Sequence, residues 1–498
     1  MKKLLSLVLA LGIALSLVAC SGAWKSTVTD FSGEVSSNGG FAVVKGEYVY
    51  FINGAETNTA DNAFGTPVKG ALVRTKIADL GNDNPASEVV VPKLFYSSAD
   101  EANKGFYIYG DYVYYTTPST EKDKTGTVQN TSLKFTRTKL NGSDTTEITT
   151  VKSLTAGYKY VQDGEKVYLV VNTTDEKGNN VLVSYDATKK NTVLATSGTV
   201  QNFVFSDDLT KNYCYYVETA HDDNRNEDES FQNIVKFNFN GEDKSTVLEG
   251  NEGTQGATFT LIKDTGANLF YSKTYVDTTV ATIVKYYASV NGAFTGEGNV
   301  LLSESTTNAS TIFAASSFYK DVNAIIYFDT TLGFVKYDYT EKDNDATYGL
   351  TYLVTDKKVL NELTSLTVSS YEKDYVYMTD SSNYYYRIGV EALLNGNAAV
   401  EQITYVSLKT SSTFYKAEFV GDYILAVSDT TPLYDYVYAV KIETGLTDEQ
   451  KEAKLKTYDF TEKANLESFA KRRIGIMNEE DKTSYETYLK DTFKDTNK

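Results

Sequence analysis

One six-residue pattern recurs eight times along this 498-residue chain. A chain that repeats a short strand-like unit every few tens of residues is committed to a modular architecture. The copies are Gly46-Glu47-Tyr48-Val49-Tyr50-Phe51, Gly110-Asp111-Tyr112-Val113-Tyr114-Tyr115, Gly164-Glu165-Lys166-Val167-Tyr168-Leu169 and Lys211-Asn212-Tyr213-Cys214-Tyr215-Tyr216. They continue with Gly266-Ala267-Asn268-Leu269-Phe270-Tyr271, Asn323-Ala324-Ile325-Ile326-Tyr327-Phe328, Lys373-Asp374-Tyr375-Val376-Tyr377-Met378 and Gly421-Asp422-Tyr423-Ile424-Leu425-Ala426. Their fifth residues stand at 50, 114, 168, 215, 270, 327, 377 and 425, so the spacing runs from 47 to 64 residues with no copy missing.

The surroundings of the copies are alike. A short apolar stretch precedes many of them, as in Phe41-Ala42-Val43-Val44, and in four a Gly-Asp or Gly-Glu pair joins the two as a tight hairpin. A second alternating stretch follows after a loop of variable length, such as Leu72–Ile77 or Ile234–Phe239, and then a weaker fourth one, such as Glu88–Val91. With 40 Tyr and 24 Phe, the composition favours strands. Four short antiparallel strands per period of about 50 residues define a β-propeller blade. The core stretches are apolar on both alternating faces, as a blade packed between two neighbours requires and a one-sided sheet does not. The expected fold is all-β: an eight-bladed propeller with a short α-helical C-terminal tail. Seven blades follow if the copy at 211–216 or 323–328 is an insertion. The last copy has no evident fourth strand, and residues 27–31 or 455–460 are the candidates to supply it.

Tyr377-Met378-Thr379-Asp380 resembles the Tyr-Trp-Thr-Asp motif of low-density-lipoprotein-receptor propellers, with Met in place of Trp. The whole repeat is similar to an uncharacterised bacterial propeller family related to those receptors and often found in lipoproteins. That resemblance implies a structural scaffold and brings no catalytic residue. Beyond residue 446 the pattern changes: Thr447-Asp448-Glu449-Gln450 reads as a capping box, and 461–473 and 479–494 read as helices. Lys471-Arg472-Arg473 would complement the C-terminal dipole of the first.

At the N-terminus, Lys2 and Lys3 precede an apolar run from Leu4 to Ala19 that ends in Leu17-Val18-Ala19-Cys20. A basic start and a short apolar core make a secretory signal. Its end resembles the lipobox of bacterial lipoproteins, which implies cleavage before Cys20 and a diacylglycerol on its thiol. The expected organisation is a signal peptide over 1–19, a lipidated N-terminus and linker over 20–39, the propeller over 40–446 and the helical segment over 447–498. The expected location is extracytoplasmic, anchored to a cell membrane by lipid. With Cys20 acylated, Cys214 has no partner and reads as a buried, inert thiol.

The chain carries 48 basic and 66 acidic residues; loss of two signal-peptide lysines takes the net charge from −18 to about −20. That disfavours nucleic acid as a partner. The single histidine, His221, lies in a polar stretch unsuited to a catalytic triad, and one His with one free Cys makes no zinc site. Asp222, Asn224, Asn226 and Asp228 alternate like the first half of a calcium loop. Glu227 stands where that loop needs Gly, however, and Asn233 where it needs Glu. The stretch reads as a solvated acidic hairpin and no cofactor is expected. Loops between the second and third strands emerge on one face, and the first four are long. They define a lopsided binding rim above blades one to four that includes Asp61, Asp123 and the hairpin from Asp222 to Glu229. The expected function is non-catalytic: a monomeric propeller that binds or scaffolds a protein or glycan at the cell envelope. The alternative is a glycan-active enzyme with paired carboxylates at the channel mouth. If the lipobox is read correctly, intact-mass analysis finds acyl chains on Cys20, and Cys20→Ala yields an unacylated protein that retains residues 1–19.

Overall fold

Strand pairing carries the repeat into three dimensions. The computed structural model describes residues 25–494 apart from 55–64, 66–68, 96–104, 120–121, 128–130, 222–229, 243, 252–255, 277–281, 290–293, 295–298, 303–315, 320–323, 338–349, 409–416, 429–430 and 434. Eight antiparallel sheets follow one another along the chain, over 42–91, 107–151, 158–196, 202–249, 257–302, 317–352, 367–402 and 418–441. Seven have four strands in sequence order and the eighth has three. The chain is an all-β, eight-bladed propeller with a short helical C-terminal region. The two copies that could have been insertions lie in the second strands of blades 4 and 6, Tyr213–His221 and Ala324–Asp329, so the seven-blade count does not apply.

Each second strand is buried on both faces because its side chains alternate between two neighbouring blades. Val113 and Tyr115 pack with blade 1, whereas Tyr114 packs with Tyr158 and Tyr160 of blade 3. Tyr168 of blade 3 meets Cys214 and Tyr216 of blade 4, and Tyr215 of blade 4 meets Leu269 and Tyr271 of blade 5. The fourth and sixth repeat positions therefore face the preceding blade and the fifth faces the following one. Blade 6 is the exception in phase. Ile326 pairs with Lys336 there, as Tyr50 pairs with Arg74 and Tyr377 with Arg387, so the sixth copy is one residue out of step with its sequence alignment.

The third repeat position has a different role from the fifth. Where it is Tyr48, Tyr112, Tyr213 or Tyr375, it is half-buried and stacks on a cation of its own blade. The Arg74 guanidinium lies 3.8 Å from the Tyr48 ring centroid, Arg137 4.4 Å from Tyr112, Lys236 4.1 Å from Tyr213 and Arg387 4.2 Å from Tyr375. Carboxylates on or before the fourth strand complete three of these stacks, with Glu88 2.6 Å from Arg74, Asp144 3.9 Å from Arg137 and Glu401 3.0 Å from Arg387.

Neither candidate for the closing strand supplies it. Residues 455–460 overlap the helix Asp448–Thr457, because the Thr447 capping box forms and opens that helix. Helices α1 (Lys357–Leu363) and α2 (Val390–Leu394) punctuate blades 6 and 7, and α3 (Asp448–Thr457), α4 (Lys463–Ala470) and α5 (Glu479–Thr492) follow blade 8. Between α4 and α5 the chain lies along the third strand of blade 8, with Ala439 N donating to Arg472 O at 3.2 Å and Ile474 N to Val437 O at 3.0 Å. The same segment reaches blade 1. Asn53 donates to Ile476 O at 2.7 Å and accepts from Ile476 N at 2.8 Å, Gly475 N donates to Ser87 Oγ at 2.9 Å, and Lys471 and Arg472 flank Asp83. The basic trio thus docks blade 8 to blade 1 rather than merely terminating a helix. Thr27 instead pairs with Val89 on the outer edge of blade 1.

Asn53 is fully buried. Asn53→Ala would strand a backbone N–H and C=O of the closing segment, and each unsatisfied group costs about 1–3 kcal/mol. A loss of roughly 2–4 kcal/mol is expected in urea unfolding, against almost none for the exposed Asn82→Ala.

Candidate functional site

Consecutive antiparallel strands place first-to-second and third-to-fourth turns at one end of a blade, and second-to-third turns at the other. The parallel bridge between Ser206 and Asp264 aligns blades 4 and 5 in one sense. On the second-to-third-turn face the ladders differ in height. Measured from the fifth repeat position in its structural register, pairing continues for two residues in blades 1, 7 and 8, to Ile52, Thr379 and Val427. It continues for three in blade 6, to Asp329, and for four in blade 2, to Pro118. In blades 3, 4 and 5 it continues for six, to Thr174, His221 and Val276. At about 3.4 Å per residue the described ladders of these three blades run some 14 Å further than those of blades 1, 7 and 8. The longest described ladders on this face therefore form a crest on blades 3–5 with a shoulder on blade 2, while the loops named for a rim above blades one to four lie in large part outside the described residues.

Thr173, Thr174, Thr219, His221, Ser230, Thr274 and Tyr275 dress the crest and are exposed or half-buried. Its root is fixed: Gln232 Oε1 accepts from Phe259 N at 2.7 Å and Phe231 packs over Gly256, both in blade 5. Below it Glu218 accepts from Tyr216 Oη and Lys244 Nζ, each at 3.0 Å.

Of the residues singled out by sequence, Cys20, Asp61, Asp222, Asn224, Asn226 and Asp228 lie outside the described residues. Asp123 is described, and its Oδ1 accepts from Thr125 N at 2.8 Å, Thr125 Oγ1 at 2.6 Å and Thr127 N at 3.0 Å. It caps its own turn. Asp175 of blade 3 does the same for Lys177 and Asn179, and Asp380 of blade 7 for Ser382 and Tyr384. These hydrogen bonds favour the carboxylate and hold the Asp175 carboxyl below its usual range. The common form is Asp-x-x-Gly/Asn-x, with Gly126, Gly178 and Asn383 at φ +85°, +87° and +61°. This spacing is the sequence signal that would have marked the three aspartates as turn residues. Tyr377-Met378-Thr379-Asp380 is likewise structural: Tyr377 stacks on Phe419 at 3.5 Å and Met378 is buried.

One titratable group is buried between blades 4 and 5. Asp264 ends the inner strand Ala257–Asp264 and is 1 % exposed. Its Oδ1 accepts from Gly266 N at 2.8 Å and its backbone O from Asp207 N at 2.7 Å, while Oδ2 has no hydrogen-bond partner among the described residues. Burial raises its carboxyl to about 6, opposed by the Gly266 N–H and by Lys159. Lys159 is itself buried, with Nζ donating to Ser206 O at 2.8 Å and Asp208 O at 2.9 Å. Lys263 links the neighbouring Asp207 at 3.4 Å to Ser316 O of blade 6 at 2.5 Å. Cys214 is a free, fully buried thiol whose ionisation burial opposes. No group of three or more His, Cys, Asp or Glu among the described residues is placed to hold a metal ion.

No family model and no curated protein matches the chain. Among solved structures it is similar to an uncharacterized protein of Listeria monocytogenes, at 10% identity and TM-score 0.32 over 71% of this chain and 96% of that one. It is similar to a puromycin-hydrolyzing peptidase of Mycobacterium tuberculosis at 11% identity and TM-score 0.33, over 85% of this chain and 60% of that one. It is also similar to the WD40 domain of Toxoplasma gondii coronin at 11% identity and TM-score 0.27, over 92% and 96%. The strand order and register carry the fold assignment.

Asp264 gives the fold a signed dependence on pH. Its pKa rises from 3.8 to about 6 on folding, so the folded chain holds this proton more readily than the unfolded one. Stability therefore falls as pH rises from about 4 to 6, then levels off. At about 1.4 kcal/mol per pH unit the loss is roughly 3 kcal/mol. Asp264→Asn should be more stable than the parent at pH 7.5 by up to that amount, and the gain should vanish near pH 4 in thermal melts.

Proposed function

We propose that this chain is an extracytoplasmic lipoprotein, held to a membrane through Cys20, whose propeller binds a protein or glycan partner without catalysing a reaction. The observation that carries the reading is the ladder extension in blades 3–5. A scaffold that elongates three adjacent hairpins on one face, and ties that of blade 4 to the next blade through Gln232, has built a platform. Binding residues concentrate on such projections from rigid folds. The platform's threonines, Tyr275 and His221 offer hydrogen bonds and one aromatic face, a chemistry suited to peptide or sugar. The strongly acidic composition makes nucleic acid an unfavourable partner. The non-catalytic reading draws support from the turn-capping work of Asp123, Asp175 and Asp380. No helix among the described residues is long and apolar enough to cross a membrane, and the lipobox-like ending at Cys20 is the basis for the anchor.

Photo-crosslinking in intact envelopes tests the platform. A benzoylphenylalanine at Thr174 or Thr219 should give one discrete adduct of the same mass increment, and the same probe at Lys190 on the opposite face should give none. A protein partner leaves an adduct sensitive to protease, and a glycan one sensitive to glycosidase. Equal adducts from Lys190, or none from either crest position, would overturn the reading.

A further inference from the structure

We infer that the propeller sits on its membrane with one defined face down: the bilayer lies against the face of the first-to-second and third-to-fourth turns, and the crest of blades 3–5 points away. The inference rests on the lipid-anchor reading and adds orientation to it.

The path of the N-terminal segment carries it. Ser26 donates through Oγ to Leu140 O at 3.3 Å, and a methyl group at Gly142 would lie 2.7 Å from Ser26 Cβ. Leu140 and Gly142 belong to the third-to-fourth turn of blade 2. From there the chain crosses that face inward. Thr27 N donates to Val89 O at 2.9 Å, and Arg74 Nη1 donates to Asp30 O at 2.5 Å. Lys45 Nζ donates to Gly33 O at 2.6 Å, and Gly46 N, in the first-to-second turn of blade 1, donates to Glu34 O at 2.9 Å. Only then does the segment descend beside the inner strand of blade 1, with Ser36 N donating to Val44 O at 2.9 Å. Asn38 completes the descent by exchanging two hydrogen bonds with Ile108, at 2.9 and 2.8 Å.

The segment is therefore pinned from Ser26 onward, and the anchor reaches the fold at a fixed point on one face. Six residues, Cys20 to Lys25, separate the acylated thiol from that point. Fully extended they span at most about 20 Å. The far ends of the second strands lie further off: the nine-residue strand Lys166–Thr174 alone is about 27 Å long. A tether that short and that placed cannot bring the crest to the headgroups without lifting the pinned segment from blades 1 and 2. The surface the fold offers to lipid is thus the turn face around blades 1 and 2, and the crest faces whatever lies beyond the membrane.

Two exposed glutamates cap the ends of the same strand, Glu165 on the inferred membrane side and Glu176 on the crest side. Glu165→Cys and Glu176→Cys variants of the acylated full chain, labelled with one fluorophore, would be reconstituted into vesicles carrying a headgroup quencher; buried Cys214 does not compete for the label. Quenching should be at least twofold stronger at position 165. Lys190→Cys and Lys177→Cys form a second pair on the same two faces, should either glutamate variant fold poorly. Acylated protein with equal quenching at the two sites, or stronger quenching at 176, overturns the orientation alone. Protein that carries no acyl chain by mass spectrometry overturns the anchor and the orientation with it.

Discussion

The structure depends on a strand that cannot be exposed on either side. Val113 and Tyr115 point into one neighbouring blade and Tyr114 into the other, all at 3 % exposure or less. A blade with such a strand at its centre is stable only between two others. Eight of them can satisfy that condition only by meeting end to end, which is what the shared core of blades 8, 1 and 2 accomplishes. The ends of the chain are accordingly where the fold invests polar bonding. The segment 471–476 pairs with blade 8 on one side and grips Asn53, Ser87 and Asp83 of blade 1 on the other. Closure is thus a matter of blade 1 side chains bonding the backbone of a short segment, with its Lys471 and Arg472 on Asp83, rather than of a full borrowed strand.

How far the sequence reveals this follows from which interactions repeat. The hexapeptide was legible because two interfaces read it at every blade, so eight blades and their order could be stated beforehand. Blade 6 slipped by one because Ile325-Ile326-Tyr327-Phe328 is apolar throughout and a period of two has no phase there; only the partner Lys336 fixes it. The closing segment was hidden for the opposite reason. Arg472, Arg473 and Ile474 make a few backbone bonds and follow a helix, so nothing in their pattern separates them from its end. Ladder length was not legible. Loop length in sequence does not distinguish paired from unpaired chain: Asn53–Gly70 is long yet its ladder stops at Ile52, whereas blade 5 turns within a few residues after pairing to Val276.

The acidic excess takes on a specific meaning in this frame. Aspartates at 30, 123, 175, 186, 208, 329, 356, 380 and 459 each accept a hydrogen bond from the backbone N–H two residues on. A propeller needs a tight turn at the end of nearly every strand, and a short carboxylate satisfies turn donors that a ladder cannot reach. These nine of the 66 acidic residues are therefore a by-product of turn number. Asp264 shows the cost when such a residue is also enclosed: one oxygen keeps the Gly266 N–H, yet burial between the blades outweighs it and the proton affinity of the carboxyl rises.

The crest raises a stability question of its own, because hairpins that outgrow their sheet lose the flanking strands that support them. In blade 4 the inner strand pairs only as far as Val217, so residues 218–221 and 230–232 stand as a two-stranded ribbon with open edges. Such a ribbon is marginal alone, and open edges invite unwanted pairing. Blade 5 resolves both problems. Its inner strand is the longest among the described inner strands and pairs up to Tyr275, level with the ribbon. Phe231 rests on Gly256 and Gln232 caps Phe259 N across the blade boundary. Asn202 likewise caps Leu261 N at 2.8 Å. Side-chain amides thus take over where the backbone ladder ends, and the extended inner strand gives the ribbon a wall to lean on. Support of that kind is what separates a platform from a flap: the lengthening of blade 4 is matched, residue for residue, by the lengthening of the neighbour that holds it.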